Sequence, residues 1–461
     1  MLRLHMLAIT TRKLNRVAAL VAATILLSSA AIYNGYPLVW PDTGEYIGLS
    51  TASLYFRSFF YNLFIFPTLL TGSLWPVVFV QSLIIAHLLQ LVLRTVFSIV
   101  STPVFLGITA LLSLLSSLPW ITGLIMPDIF TPVVILSLFL LIFCPHRLKP
   151  GELVYLLALT TLATAVHYTH FPLAVGLLLA AVMSRLAAKY HNKLPIAYLA
   201  RPFFAVALAL VLMLANSYLS YGIITISPGG YAFPLARLLA DGPAVRYLNE
   251  HCAEKEYALC NYIDDLPATS DDFLWSADSP FLMLGWFQGY RLEGQEIVEG
   301  TISHYPLWIL QTSIVNTIRQ VRSFRTGSGL IPYLEDSYPT TTIRESFQGD
   351  FHAYEVSKQN LNRLGLNKFN LLHTVFIALS LLYALIVFLI FLKRREWLLV
   401  YFFIAIAFAY LLNAFLCGSI SGPNSRYASR IIWMLPFFSL AAGMHLSRGK
   451  RSAMKWYDKL K

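Results

Sequence analysis

The chain has 461 residues, of which 57% are apolar and only 12% carry a formal charge. An average soluble domain has about 25% charged residues. This composition excludes a water-soluble enzyme, and it also excludes a disordered chain, which would be polar and poor in aromatic residues. The class that remains is a multi-pass membrane protein. The net charge of +11 does not indicate a nucleic-acid partner, because the basic residues stand in small groups beside apolar segments.

Ten apolar segments have roughly the length of a membrane-spanning helix. They lie near residues 17–33, 73–97, 103–118, 129–143, 152–166, 171–186, 199–219, 370–392, 397–416 and 431–447. The aromatic segment 55–70 is apolar as well. Because Arg57, Asn62 and Pro67 interrupt it, we interpret it as an interfacial or re-entrant helix pair. The expected fold is an all-α polytopic membrane protein with about ten transmembrane helices.

The distribution of Lys and Arg supports this count. With the N-terminus in the cytoplasm, 20 of the 34 basic residues fall on the cytoplasmic side, as the positive-inside rule expects. Three others lie in short outer loops, and the remaining 11 lie in the long segment 220–369, which the rule does not govern. Both termini are therefore expected in the cytoplasm. Cleavage of residues 1–31 as a signal peptide is an alternative that leaves the same loops outside.

The chain divides into three expected regions. These are an N-terminal transmembrane module with catalytic outer loops (1–219), an extracytoplasmic insert of mixed structure (220–369), and C-terminal transmembrane helices with a basic cytoplasmic tail (370–461). The insert holds 17 of the 23 acidic residues. It also holds Cys252 and Cys260, for which we expect a disulfide outside the cytoplasm, with two separate thiols as the alternative. Cys144 and Cys417 fall at opposite membrane faces and are expected to stay unpaired.

Only six acidic residues lie outside the insert, and Asp42, Glu45 and Asp128 stand at the outer ends of predicted spans. Charged groups at membrane depth are costly and tend to be functional. Two separate loops thus place carboxylates at one face. Asp42 stands among aromatic and apolar neighbours, where partial desolvation favours a general-base role. The alternative is that Asp42 and Asp128 only cap the helices that follow them.

Basic and aromatic residues at the same face are candidates for binding a phosphate group. Arg426 and Arg430 are four residues apart on one helix face, and two guanidiniums can grip a phosphate. Binding of a lipid headgroup is the alternative. The other candidates for the same role are Tyr46, Arg57, His167, His170 and Tyr427. The two histidines are too few to define a metal site.

These residues together resemble the GT-C superfamily of membrane glycosyltransferases. Many bacterial members have Asp-Glu-x-x-Tyr after the first span, and Asp42 and Tyr46 keep the Asp-x-x-x-Tyr spacing, with a threonine in place of the Glu. Asp128 matches the second-loop acid of the superfamily by position. Arg426 and Tyr427 look like an Arg-Tyr pair that recurs before a late span.

The resemblance covers the topology of residues 17–190, and the long insert departs from the superfamily layout. It implies a bacterial inner-membrane enzyme that transfers a sugar, with inversion, from a polyprenyl-phosphate donor to a cell-envelope acceptor such as a glycolipid, polysaccharide or protein. Asp42 would be the general base. Asp128 and Glu45 would position the acceptor, or a divalent metal ion if one is used. Membrane lipids are the other expected partners.

Two other functions stay open. One is a flippase or transporter of a lipid-linked sugar, although transporters usually carry ionisable residues in the middle of spans, where this chain has almost no acid. The other is a ligase or polymerase of surface polysaccharide. Such an enzyme would use arginine and histidine in the large outer segment, and Arg319, Arg322 and Arg325 are spaced to form a basic patch there.

Overall fold

The computed structural model describes residues 2–48, 54–187 and 196–457. Within these ranges all regular structure is helical, and the one β-contact is an isolated bridge. The expected all-α fold is therefore confirmed for the described residues. The predicted cytoplasmic loop with Lys189 and Lys193 lies outside them.

All of the first seven predicted spans coincide with helices. The α-helices up to residue 221 are Leu2–Leu27, Ser29–Asn34, Thr43–Ile47, Phe59–Ile65, Pro67–Thr71, Trp75–Thr95, Thr102–Leu115, Leu118–Thr122, Phe130–Phe143, Pro150–Ala165, His170–Ala187 and Ile196–Tyr221. Several have proline in the first turn, where a missing N–H costs nothing. Pro67 likewise starts the second of the two short helices in the aromatic segment.

The rest of the chain is also helical, and the insert has helices, 3₁₀ turns and loops where we expected mixed structure. The α-helices are Ala232–Asp241, Pro243–Lys255, Ser270–Trp275, Pro280–Met283, Trp286–Gly289, Arg291–His304, Pro306–Arg322, Tyr338–Ser346, Phe351–Glu355, Leu366–Arg394, Trp397–Ile420, Ser425–Ile432 and Met434–Tyr457. Cys252 and Cys260 form a disulfide, with their Cα atoms 5.9 Å apart. Cys144 and Cys417 are free and buried.

In the part of the chain that the structure describes, four helices are long and apolar enough to cross a membrane. They are Trp75–Thr95, Tyr198–Tyr221, Leu366–Arg394 and Trp397–Ile420. Six further apolar helices of the described chain are shorter, and the one at Phe59–Thr71 is the aromatic segment. The chain therefore has the helices of a membrane protein, but length and composition support four spans and not the ten that we predicted.

The helix Phe130–Phe143 lies at the centre of the bundle. Every residue from Phe130 to Ile142 is buried, as expected for a helix that is apolar on all sides. It packs against Trp75–Thr95, Pro150–Ala165 and Trp397–Ile420, among others. Asp128 stands just before this helix, so a rigid element fixes its position.

A second apolar core holds the first half of the insert together, and it extends to the loop that carries Arg57. Its buried residues include Tyr55 and Phe56, and the Phe56 ring stacks on Phe287 with the centroids 4.1 Å apart. The insert therefore fixes the backbone on the N-terminal side of Arg57.

Later parts of the insert pack on both the first loop and the bundle. Helix Tyr338–Ser346 packs against the short helix Thr43–Ile47. Helix Pro306–Arg322 lies along Trp397–Ile420, where the Tyr410 hydroxyl donates to the Val321 carbonyl at 2.8 Å. The insert thus covers the loop that carries Asp42.

Candidate functional site

Backbone hydrogen bonds join the first and second predicted outer loops. Leu38 forms an isolated parallel bridge with Leu124, and the Ile125 N–H donates to the Leu38 carbonyl at 3.0 Å. Asp42 follows Leu38 by four residues, and Asp128 follows Leu124 by four. The bridge therefore brings the two acidic residues to the same place in the fold.

Arg57 holds both acids of the first loop. Its Nη2 lies 2.8 Å from Asp42 Oδ1, and its Nε lies 2.6 Å from Glu45 Oε2. The three side chains are only 10 to 16% exposed. Burial raises the pKa of Glu45 above its ordinary value, and Arg57 opposes that shift. The two carboxylates therefore share one guanidinium in a largely dry environment.

Arg426 connects the two loops, although it lies more than 290 residues after either of them in the sequence. Its Nη1 is 3.5 Å from Asp42 Oδ2, and its Nε is 3.7 Å from Asp128 Oδ1. The guanidinium lies over the Trp40 ring at 4.6 Å, a distance at which a cation is attracted to an aromatic face. Arg426 thus lies between the acidic residues that we predicted to share a site.

Arg430 lies one turn further along the helix Ser425–Ile432 and is also paired with Asp128. Its Nη1 is 3.4 Å from Asp128 Oδ1, and its Nη2 donates to Asn413 Oδ1 at 2.6 Å. The side chains of Arg430 and Asp128 are each only 1% exposed. The phosphate-binding role of Arg430 stays a prediction, and in this structure its guanidinium is enclosed and holds Asp128 in place.

Helix capping does not explain either acidic residue. Asp42 is at the N-cap position of Thr43–Ile47, but its side chain makes no capping hydrogen bond. Asp128 lies in the 3₁₀ turn Pro127–Ile129, and no side-chain cap is formed there or at the next helix. Both carboxylates face guanidiniums instead, so the capping alternative is excluded by the geometry.

We refer to Asp42, Glu45, Arg57, Asp128, Arg426 and Arg430 as the carboxylate–arginine cluster. Three of its buried polar atoms, Asp128 Oδ2, Arg426 Nε and Arg430 Nε, make no hydrogen bond within the described residues. An unsatisfied buried polar group costs about 1–3 kcal/mol and is uncommon in native proteins. The cluster therefore retains hydrogen-bonding capacity that a ligand or ordered water would use.

Two tyrosines predicted at the site lie against its cations. The Tyr427 ring is 5.1 Å from the guanidinium of Arg426 and 5.2 Å from that of Arg430. Tyr46 is buried, with its ring 6.0 Å from the Arg57 guanidinium. Both rings border the cluster.

The two predicted histidines differ in what they can do. His170 is buried, and its two ring nitrogens contact the Ala163 carbonyl at 2.6 Å and Thr131 Oγ1 at 2.8 Å, so it has no free nitrogen. The pKa of His167 is well below its ordinary value, because burial, Arg430 and Arg426 all disfavour a positive charge. A neutral His167 cannot act as a cation for a phosphate, although it can still donate a hydrogen bond.

Four contributors to the site are not among the predicted site residues. Trp40 lies under Arg426, Trp275 of the insert lies 5.5 Å from the Arg57 guanidinium, and Asn413 binds Arg430. Asp271, also in the insert, interacts electrostatically with Arg426 and Asp42. Burial raises the pKa of its carboxyl group. Asn413 could have been predicted from the sequence, because it is a lone amide in an apolar helix. Nothing in the sequence distinguishes Asp271 from the other acidic residues of the insert.

No group of three or more His, Cys, Asp or Glu side chains within residues 2–48, 54–187 and 196–457 is arranged to hold a metal ion. In the cluster itself each of the three carboxylates has at least one oxygen that faces a guanidinium. As arranged, the donor set does not fit a divalent ion.

Comparison with protein-family models, curated proteins and solved structures finds no match for this chain. The helices define the class of protein, which is a helical membrane protein, and the function has to be argued from the cluster itself.

Proposed function

We propose that this protein is a membrane glycosyltransferase of the GT-C type, which moves a sugar from a polyprenyl-phosphate donor to an extracytoplasmic acceptor. Asp42 is the general base. The observation that carries the proposal is the position of Arg426 between Asp42 and Asp128, which come from two different loops. Direct sugar transfer needs a base, a means of orienting the acceptor, and a cation for the departing phosphate at one place.

The proposal places the chain in the bacterial inner membrane with both termini in the cytoplasm. The ten predicted spans would cross the bilayer, and those shorter than about 20 residues would borrow flanking residues. The aromatic segment 55–70 would lie in the interface. The carboxylate–arginine cluster and residues 220–369 then lie on the outer side. The distribution of basic residues supports this orientation, and so does the disulfide, because such bonds persist in oxidising compartments.

An apolar groove beside the cluster suits the prenyl chain of the donor. The groove has a volume of about 550 Å³ and lies between helices Leu366–Arg394 and Trp397–Ile420. Ile431 and Ile432, which directly follow Arg430, are part of its lining. A prenyl chain in this groove would end beside the helix that carries the arginines of the cluster.

In this arrangement Arg57 and Arg426 both contact the carboxylate of Asp42. A donor phosphate that binds Arg426 would draw this guanidinium away and release Asp42. Asp42 then takes the proton of the acceptor hydroxyl or amine, while the acceptor atom bonds to the anomeric carbon. The bond from that carbon to the phosphate oxygen breaks, and the phosphate leaves on the prenyl carrier with the electron pair. A single displacement of this kind inverts the anomeric configuration.

The remaining members of the cluster have supporting roles in this mechanism. Arg57 keeps Asp42 and Glu45 oriented, and Arg430 keeps Asp128 in place. Asp128 and Glu45 position the acceptor through hydrogen bonds. No step uses a divalent ion, since the carboxylates are arranged to bind guanidiniums.

The substitution Asp42→Asn tests the proposal. Loss of the base should lower transfer by about 10²- to 10⁴-fold, while the amide keeps the size of the side chain. The measurement is transfer of radiolabelled sugar from a panel of synthetic polyprenyl-phosphate sugars to membrane acceptors. Glu152→Gln is the matched control, because Glu152 is also paired with an arginine but lies outside the cluster.

Full transfer by the Asp42→Asn protein would contradict the assignment of the base. If the wild-type protein in liposomes moves a fluorescent lipid-linked sugar between leaflets and transfers no sugar from any donor of the panel, the flippase alternative replaces this proposal.

A further inference from the structure

A second concave site lies away from the carboxylate–arginine cluster. It is a cavity of about 110 Å³. Its polar or charged lining residues are Arg16, His87, Gln90, Arg94, Ser101, Thr102, Lys149 and Glu152. Leucine, isoleucine, valine and phenylalanine side chains complete the wall, and one of them, Val100, is 72% exposed. The cavity thus has a polar side and an apolar side.

Basic side chains outnumber acidic side chains around this cavity. Arg94 and Glu152 form a two-pronged ion pair, with Nη1 2.8 Å from Oε1 and Nη2 2.7 Å from Oε2. Glu152 is the only carboxylate in the lining, and Arg16 and Lys149 line the same cavity with exposed side chains. The lining therefore has three basic residues and one carboxylate, so an excess of two positive charges remains, although Lys149 also interacts with Glu152.

The cavity is at the opposite end of the bundle from the cluster. Helix Trp75–Thr95 connects the two ends. Near its start, Gln81 donates to the Leu124 carbonyl at 3.0 Å, beside the second loop. Arg94 is thirteen residues further on, which is about 20 Å along the helix axis. A ligand in this cavity would therefore contact none of the residues of the cluster.

We infer that this cavity binds the headgroup of an anionic phospholipid. Arg16 and Lys149 would hold the phosphate, and basic pockets between helices at a membrane face are typical sites for such headgroups. The Ser101 hydroxyl makes no capping bond to its helix and lies in the lining, so it is available to a phosphate oxygen. The apolar side of the cavity would contact the glycerol and the first acyl carbons. A free anion would not need this apolar side.

Native mass spectrometry of the full-length protein in detergent tests the inference, with dioctanoyl phosphatidylglycerol and dioctanoyl phosphatidylcholine as probes. The wild-type protein should bind the anionic lipid more tightly. The double variant Arg16→Gln/Lys149→Gln should weaken that binding by roughly tenfold or more, because each basic residue contributes separately to the attraction. Both side chains are exposed, so the variant should fold, which thermal unfolding checks.

The matched control is Lys393→Gln/Arg395→Gln. It removes the same charge from two exposed residues that do not line the cavity, and it should leave lipid binding unchanged. Three results would overturn the inference: an equal loss of binding in the control, equal binding of the two lipids, or competition by inorganic phosphate at the concentration of the lipid. The last would indicate a site for free anions. None of these results depends on glycosyl transfer.

Discussion

The Arg94–Glu152 pair and the carboxylate–arginine cluster use the same types of side chain but differ in how well their hydrogen bonds are satisfied. Arg94 and Glu152 meet through two bonds of 2.8 and 2.7 Å, and their side chains are 28 and 17% exposed. The contacts of Asp128 with Arg426 and Arg430 are 3.7 and 3.4 Å, with side chains 1 to 8% exposed. The more deeply buried contacts of Asp128 are thus the longer ones, whereas Arg57 in the same cluster lies 2.8 and 2.6 Å from Asp42 and Glu45.

This difference separates a structural ion pair from a site. A buried ion pair recovers its desolvation cost only when its geometry is good and its remaining polar atoms are satisfied. Arg94 and Glu152 approach that condition. The cluster does not, because Asp128 Oδ2 and the Nε atoms of Arg426 and Arg430 make no hydrogen bond within the described residues. A group of charges that is buried but incompletely bonded is suited to exchange partners with a ligand.

The largest expected effect is on the free energy of unfolding, and it tests the difference between the Arg94–Glu152 pair and the cluster. Arg430→Gln leaves the buried Asp128 carboxylate with only the longer contact to Arg426, and it should lower the free energy of unfolding by about 3 kcal/mol or more. Arg94→Gln should cost about 1 kcal/mol or less, because that pair is partly exposed. Denaturant unfolding in detergent micelles measures both. Equal costs would remove the distinction between the two regions.

A smaller effect, on sugar transfer, is expected from substitution of Gly329. This glycine lies against the Trp40 ring, which in turn lies against Arg426. Gly329 has a φ of +80°, and a Cβ there would lie 2.0 Å from the Trp40 ring. Gly329→Ala should push Trp40 away from Arg426 and lower sugar transfer by about tenfold, since small misplacements are costly in catalysis. Gly349→Ala is the control, because a Cβ at that glycine meets no atom within 4 Å. Unchanged transfer in Gly329→Ala would mean that Trp40 does not orient Arg426.

The smallest predicted effect is a pH dependence. His167 has a lowered pKa in the folded protein, so below about pH 6.5 the unfolded chain binds a proton that the folded protein does not. The free energy of unfolding should therefore decrease as the pH falls from 7 to 5, by at most about 1.4 kcal/mol per pH unit for this group.

His167→Gln should reduce this loss between pH 7 and pH 5, measured by thermal unfolding at both values. His352→Gln, at an exposed position, should leave it unchanged. An identical pH dependence in the wild-type and His167→Gln proteins would show that His167 does not carry the effect.

Sequence periodicity and charge placement predicted the helices well. Each of the ten apolar segments is helical, because a long apolar segment must satisfy its backbone hydrogen bonds internally. The number of membrane-spanning helices could not be predicted from the sequence as reliably. Helices such as Thr102–Leu115 and Phe130–Phe143 have only 14 residues, and the hydropathy of short helices does not separate a span from a buried core helix.

The acidic residues of the site were predictable because acids are scarce outside the insert. Their partners were harder to predict. Arg426 was predicted to bind a phosphate, and its position between Asp42 and Asp128 was not predicted. Residues so far apart in the sequence become neighbours only in the folded chain. Trp40 and Asp271 were missed, because an aromatic residue near a membrane and an acid in an acidic insert are both ordinary in sequence.

The exchange of Arg426 from Asp42 to a donor phosphate can be seen in a cryo-EM structure of the protein in lipid nanodiscs with a short-chain polyprenyl phosphate. We expect the phosphate within hydrogen-bonding distance of Arg426, and Asp42 no longer in contact with this guanidinium. A phosphate bound elsewhere, with the contacts from Arg426 to Asp42 and Asp128 unchanged, would contradict this expectation.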